Sequence, residues 1–364
     1  MCKVSELSGI LSEQLGWHKA RVDFFARALL ALLMCKTINF KDLAVALPSS
    51  TAGVDSRYRR IQRFFASFEI NFTVIARWIF SLFITPDQKF YVSIDRTNWY
   101  FGKAKINIFM LSICYEGIAI PIIWKLLNKA GSSSAEEQIE LVQRFIDIFG
   151  STQIESLLAD REFPNETFLA WLIKHKIPFN MRVKKDAWCC IREQRFKQAG
   201  ELFASLSPNE QHFFPMTVWL YGVKVFIAAS RNEKGELMLV ISNNNPKCSI
   251  ARYLRRWEIE TLFHALKGRG FKLEETHVTA LDRLDKIVAF LAIGFAWAHK
   301  VGEFKAQTKP ILLKRFKNQT RPQYSLFRYG LDCLRENLIQ PAHQLGLFKK
   351  LVKRLQCPII RLIS

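Results

Sequence analysis

Near Lys89 the apolar pattern of this chain switches from a helical repeat to a series of β-type runs, and the order of elements after that point sharply limits the available folds. Residues 90–94, 106–114 and 119–124 are rich in β-branched and aromatic side chains, and short turns containing Gly102 and Gly117 separate them, the mark of consecutive antiparallel strands. Residues 132–149 then predict an amphipathic helix with a serine cap and Glu136–Glu137 in its early turns. A short apolar run, 154–159, ends at Asp160; a helix is expected over about 165–176 and a strand over 179–183.

The resulting order, βββαβαβ, is that of a ribonuclease-H-like α/β core, a mixed sheet with flanking helices, although other α/β proteins share it. Residues of about 184–245 interrupt the scheme with β-type runs at 217–220, 223–228 and 237–241, and predict a β-rich insertion. One long helix is expected from about Ser249 to Lys267, ended by Gly268 and Gly270. These readings divide the chain into a helical N-terminal region (1–86), an α/β core with its insertion (87–285) and a helical, basic C-terminal region (286–364). Within the first, helical spacing is clearest at 21–35, 58–68 and 72–83. Residues 39–47, the turn-rich break 47–53 and the basic stretch 56–63 read equally as a helix-turn-helix-like reader or as a solvated basic helix in a bundle.

Charge says what the chain meets. It carries 53 Lys and Arg against 32 Asp and Glu, a formal +21, while 49% hydrophobic residues and 30 phenylalanines require a substantial core. A folded, strongly basic protein expects a polyanion, with nucleic acid ahead of an anionic membrane surface. From Val301 onward there are 13 Lys and Arg against three acidic residues. The apolar run 287–298 falls short of the ~20 residues needed to span a bilayer and reads as a buried core helix. Residues 1–16 lack the features of a secretory signal, so a cytoplasmic, nucleoid-associated location is expected, with no membrane partner. Eight cysteines without a Cys-x-x-Cys pair read as reduced, small hydrophobes.

Asp95 follows the apolar run 90–94, and Asp160 follows 154–159. Either alone reads as a structural aspartate at a strand–loop junction. Together they suggest a shared cation, because carboxylates at the ends of buried strands are costly unless compensated. In the predicted helix, Tyr253, Arg256, Glu260 and Lys267 are three, four and seven residues apart and fall on one face. Glu258 lies about 200° around from Glu260, so only one of the two faces the site, and Glu260 shares its face with the tyrosine and the cations. The competing reading is a surface helix with Arg256–Glu260 support of only ~0.2–0.5 kcal/mol.

The pattern Tyr-x2-Arg-x3-Glu-x6-Lys at Tyr253, Arg256, Glu260 and Lys267 resembles the YREK signature of the insertion-sequence-four family of DDE transposases. Ile94-Asp95-Arg96-Thr97 and Ala159-Asp160-Arg161 resemble that family's two aspartate motifs, and the resemblance runs from about residue 90 to 270. It implies a ribonuclease-H-like core in which Asp95, Asp160 and Glu260 are the catalytic, metal-binding residues for two Mg2+ ions, with Mn2+ as an acceptable substitute. It further implies that Tyr253, Arg256 and Lys267 grip DNA phosphates, and that a homodimer on double-stranded DNA cuts transposon ends and joins them to a target. Relatives commonly form a DNA hairpin with a base flipped onto a tryptophan just ahead of the YREK helix; here residues 236–240 hold no aromatic, and Trp188 and Trp219, elsewhere in the insertion, read either as core or surface-packing tryptophans or, second, as substitutes in that role. Two other readings stay open: a nuclease of the same fold that cuts without joining, and a DNA-binding transposition inhibitor without chemistry.

Overall fold

The computed structural model describes residues 2–48, 51–192, 195–316, 319–340 and 345–356; Ser49 and Ser50 of the turn-rich break lie outside the described residues. The chain opens with helices α1 (Cys2–Leu15), α2 (Lys19–Cys35), α3 (Phe40–Ala46), α4 (Val54–Ser67) and α5 (Phe72–Phe83). Strands β1 (Phe90–Phe101), β2 (Ala104–Tyr115) and β3 (Ile118–Leu126) follow, then α6 (Ala135–Phe149), β4 (Ile154–Ala159), α7 (Glu166–Lys174) and β5 (Phe179–Val183). The insertion supplies β6 (Trp188–Cys190), β7 (Phe196–Gln198), β8 (Gln211–Phe213), β9 (Val218–Leu220) and β10 (Val223–Arg231), and β11 (Leu237–Ser242) returns from it. Helices α8 (Ser249–Leu254), α9 (Trp257–Leu266) and α10 (Leu281–Thr308), a hairpin of β12 (Leu313–Phe316) and β13 (Gln319–Pro322), and helices α11 (Leu326–Ile339) and α12 (Leu345–Val352) complete it.

Two compact units result. One comprises Met1–Ile84, Trp99–Ala104 and Phe263–Ser364; the other comprises Thr85–Asn98 and Lys105–Leu262. The N- and C-terminal helical segments therefore belong to the same unit.

The second unit is built on one large mixed sheet, with strand order β3-β2-β1-β4-β5-β11-β10-β9-β6-β7 and β8 paired to β10. β1 runs parallel to β4, and β4 parallel to β5, whereas β2 and β3 are antiparallel. This is the ribonuclease-H-like arrangement: an antiparallel pair, then parallel strands joined through helices. Ser134 caps α6 in a full capping box with Glu137, and Asn165 caps α7 by accepting from the Phe168 amide. The insertion does not stand apart, because β11 returns antiparallel to β5 and β10 pairs antiparallel to β11, so the core sheet continues into it.

In the helical unit, α10 is 28 residues long, well beyond the run expected at 287–298. It is long and apolar enough to cross a membrane, but 83% of its most apolar window is buried within the fold. Aromatic rings from α2 and α4 meet on it: Phe25 and Phe65 both pack edge-on to Phe290, at 5.3 and 5.5 Å. α10 and α11 touch backbone to backbone; a Cβ on Gly330 would stand 1.8 Å from the Ala298 carbonyl oxygen, and one on Gly302 1.9 Å from that of Leu326. The region beyond 285, expected to be largely helical, also holds the β12–β13 hairpin.

The single helix expected over 249–267 is two. α8 ends at Leu254 and α9 starts at Trp257, and between them the Arg255 and Arg256 amides donate to Arg252 and Tyr253 three residues back, tighter than the α-helical ladder.

Candidate active site

Strand register sets the first level of the site. Ile94 pairs with Ala159 across β1 and β4, and Ala159 with Met181 across β4 and β5. The next residue on each strand is therefore Asp95, Asp160 and Arg182, three charged groups in a row on neighbouring parallel strands about 4.8 Å apart. Each strand is buried up to that point, with Ile94, Leu158, Ala159 and Met181 fully buried, so the charges emerge where the core ends. Arg182 Nη1 stands 3.8 Å from Asp160 Oδ1.

The α8–α9 segment closes over this row. Tyr253, 4% exposed, packs its ring on Ala228 and Val240 of β10 and β11 and donates its hydroxyl to Asp160 Oδ1 at 3.1 Å. Arg256, 5% exposed, reaches Asp95 Oδ2 with Nη1 at 3.0 Å and Glu260 Oε1 with Nη2 at 2.5 Å. Of the two glutamates, Glu260 thus reaches the site, while Glu258 accepts from Arg255 Nε at 3.0 Å. The break at Arg255–Arg256 shifts the helical phase, and Tyr253, Arg256 and Glu260 still converge on the aspartate row.

Charge compensation here is tight. Burial pushes the Asp95 carboxyl up to about 6 against the lowering effects of Arg256 and the Arg96 amide, and the nearby Glu162 and Asp160 add to the rise. Burial also pushes the Tyr253 phenol up to about 12. Burial opposes the Arg256 charge, yet Tyr253, Glu260, Asp95 and Asp160 outweigh it and hold the guanidinium protonated. Arg256 therefore serves Asp95 and Glu260 directly, and Arg182 stands beside Asp160. Arg96 adds a second tier, gripping Glu162 with Nε and Nη2 at 2.9 and 2.6 Å while its amide donates to Asp95 Oδ1 at 2.7 Å.

Lys267 belongs to the helical unit, where its ammonium pairs with Glu274 at 2.7 Å and lies 5.4 Å from the centre of the Trp99 ring. Trp188 and Trp219 are 63% and 54% exposed. Cys190 pairs with Trp219 across β6 and β9, so Trp188, two residues from Cys190, shares a sheet face with Trp219. Reading the sequence alone passes over Arg182, whose only signal is its place as a charge within the otherwise buried strand β5, and Glu162, two residues past Asp160.

The family model described as a transposase DDE domain matches residues 86–294, more than half of the chain, and the chain belongs to that family: it is a DNA transposase. The piggyBac transposase in its synaptic complex with hairpin DNA is a similar solved structure, with 13% identity and a TM-score of 0.47 over 98% of this chain and 80% of that one. No curated protein matches the chain.

Domains of this family generally use divalent metal ions. The donors fit one: carboxylate oxygens are the hard ligands such ions take, and Asp95 and Glu260 already share one positive charge, with Asp160 next to Asp95 in the strand row. Among the described residues, no three His, Cys, Asp or Glu side chains stand close enough to hold an ion as now arranged, because Arg256 lies between Asp95 and Glu260.

Proposed function

We propose that this transposase belongs with the insertion-sequence-four group, binds the terminal inverted repeats of its element, and moves it by cutting and joining, with Asp95, Asp160 and Glu260 as the catalytic carboxylates. The observation that carries this reading is a set of three carboxylates, from β1, β4 and α9, in which the Arg256 guanidinium joins Asp95 to Glu260 while Asp160 is held by Tyr253 and faces Arg182. Bound divalent metal, two Mg2+ in this reading, supplies Lewis-acid stabilisation of charge at phosphorus and at the entering and leaving oxygens. The chain's own part is to present three carboxylates and to move Arg256. When its guanidinium leaves Asp95 and Glu260 it is free to form a bidentate pair with a phosphate flanking the scissile bond. Tyr253 keeps Asp160 oriented through its hydroxyl. Attack by a water oxygen on phosphorus expels a 3′-hydroxyl; that hydroxyl then attacks a target phosphodiester and expels its 3′-oxygen in turn. Lys267 is assigned to phosphate contact, and the exposed rings of Trp188 and Trp219 are the surfaces open to a base that leaves the stack. A homodimer on DNA in the cytoplasm completes the reading.

Purified protein incubated with a labelled transposon-end duplex and Mg2+ tests it. The parent should cut and join, whereas Asp95→Ala, Asp160→Ala and Glu260→Ala should each lose cleavage by at least two orders of magnitude while still binding the duplex. Cleavage that survives these changes would remove the site assignment. Cut ends that are never joined would make the protein a nuclease, and binding without cleavage by the parent would make it an inhibitor.

A further inference from the structure

The helical unit holds a cleft of about 300 Å3 between α3, α4 and the start of α10, room for about ten waters and so for more than a lone phosphate. Its polar lining includes Lys41, Tyr58, Gln62, Thr276, His277 and Arg283. Tyr58 and Gln62 sit four residues apart on one face of α4. His277 is steadied by a stack on Phe101, ring centres 4.9 Å apart and planes at 22°. Among the described residues no carboxylate lines the cleft, and the side chains of Lys41, Tyr58, Gln62 and Arg283 make no hydrogen bond or ion pair.

Thr276 is the telling residue. It is 4% exposed, it borders the cleft, and its Oγ1 has no hydrogen-bond partner. A buried hydroxyl in that condition destabilises the free protein, and a ligand that accepts its proton removes the cost. Beside it α10 begins at Leu281 with Ala280 as N-cap, and no side chain caps the first-turn amides there. Two cations, an uncapped helix start and a buried unpaired hydroxyl together specify an anion that accepts hydrogen bonds.

We propose that this cleft binds a backbone phosphate of double-stranded DNA, with Lys41 and Arg283 supplying charge at its mouth and Thr276 donating from its wall. The inference rests on the DNA-binding reading above, and DNA is favoured over a small anion by the chain's formal +21 and by the cleft's size. Fluorescence anisotropy of the full chain with a labelled duplex, in chelator and across a salt series, tests it. Lys41→Ala/Arg283→Ala should weaken binding by roughly tenfold or more and reduce the slope of log K against log salt by about 1–2. Thr276→Val should weaken binding several-fold with little change in slope and without lowering the melting temperature, which a structural hydroxyl would not permit. Lys349→Ala, at a side chain paired with Glu6, should bind as the parent does.

Unchanged affinity and slope in the double variant, with a parent that binds DNA, would overturn the cleft assignment and leave the proposed function standing. A parent that fails to bind DNA would overturn both. If inorganic phosphate raises the melting temperature of the parent but not of the double variant, while both bind DNA equally, the cleft takes a free anion and the proposal also falls.

Discussion

Replacing Arg256 by methionine keeps side-chain length, removes the charge, and leaves Asp95 and Glu260 without the cation they share. Both groups of the Arg256–Asp95 pair are largely sequestered, with side chains 7% and 17% exposed, so the loss belongs with buried rather than surface pairs. Breaking such a pair costs about 3–5 kcal/mol if the orphaned charge must stay. Asp95 has an alternative, because burial already lifts it to about 6, and without Arg256 it rises further and takes up a proton near neutrality. The expected destabilisation at pH 7 is therefore about 2–4 kcal/mol. The linkage has a definite sign. A carboxyl raised by folding favours the native state at low pH and loses that contribution as pH climbs through its folded value. In the parent this loss is complete just above about 6; in the variant it continues upward at as much as ~1.4 kcal/mol per pH unit. Urea unfolding in chelator at several pH values between 5 and 8 should show a gap between parent and variant that is smallest at pH 5 and widens above 6. Adding Asp95→Asn to Arg256→Met should flatten the pH dependence and recover part of the loss. An equal gap at pH 5 and pH 8, or additive effects within ~0.5 kcal/mol, would refute the idea that Arg256 compensates Asp95.

Gly330→Ala should destabilise the helical unit by at least 1–3 kcal/mol, since its Cβ would overlap the Ala298 carbonyl, and an unchanged melting curve would show that α10 and α11 are not so closely joined. Cys248 is exposed, whereas burial pushes the Cys114 thiol up to about 12. In native protein at pH 8 a thiol reagent should label Cys248 readily and Cys114 only after unfolding, as mass spectrometry of the digest would read; rapid labelling of Cys114 would contradict its burial.

Most of the strand-built unit is legible in the sequence because its strands are largely buried and read as mainly apolar, β-branched and aromatic runs: residues 90–94, 106–114, 119–124 and 154–159 all lie within observed strands. The two aspartates are visible for the same reason, as charges that end such runs. What the sequence conceals is context. β6, β7 and β8 have three residues each, too few to show a period of two. The break between α8 and α9 leaves no glycine or proline to announce it, and its two residues are held by tertiary contacts, Arg255 to the Cys114 carbonyl and Arg256 to Asp95. α1 was legible in principle, since Val4, Leu7, Leu11 and Leu15 repeat at helical spacing and are buried. The cleft beside Thr276 joins residues more than 200 positions apart, and no local pattern reports on that.

The pairing of β5 with β11 has an evolutionary consequence. Val183 lies opposite Leu239, so the whole segment from 184 to 236 departs from and returns to neighbouring positions in the sheet. A segment with adjacent ends can be lengthened or exchanged without rethreading the catalytic strands, and each doubling of its length costs only about 0.6 kcal/mol in closure entropy. Complete removal is a different matter. With β10 gone, β11 would become a bare edge strand open to pairing with other chains, so natural variation here should favour replacing the insertion over deleting it.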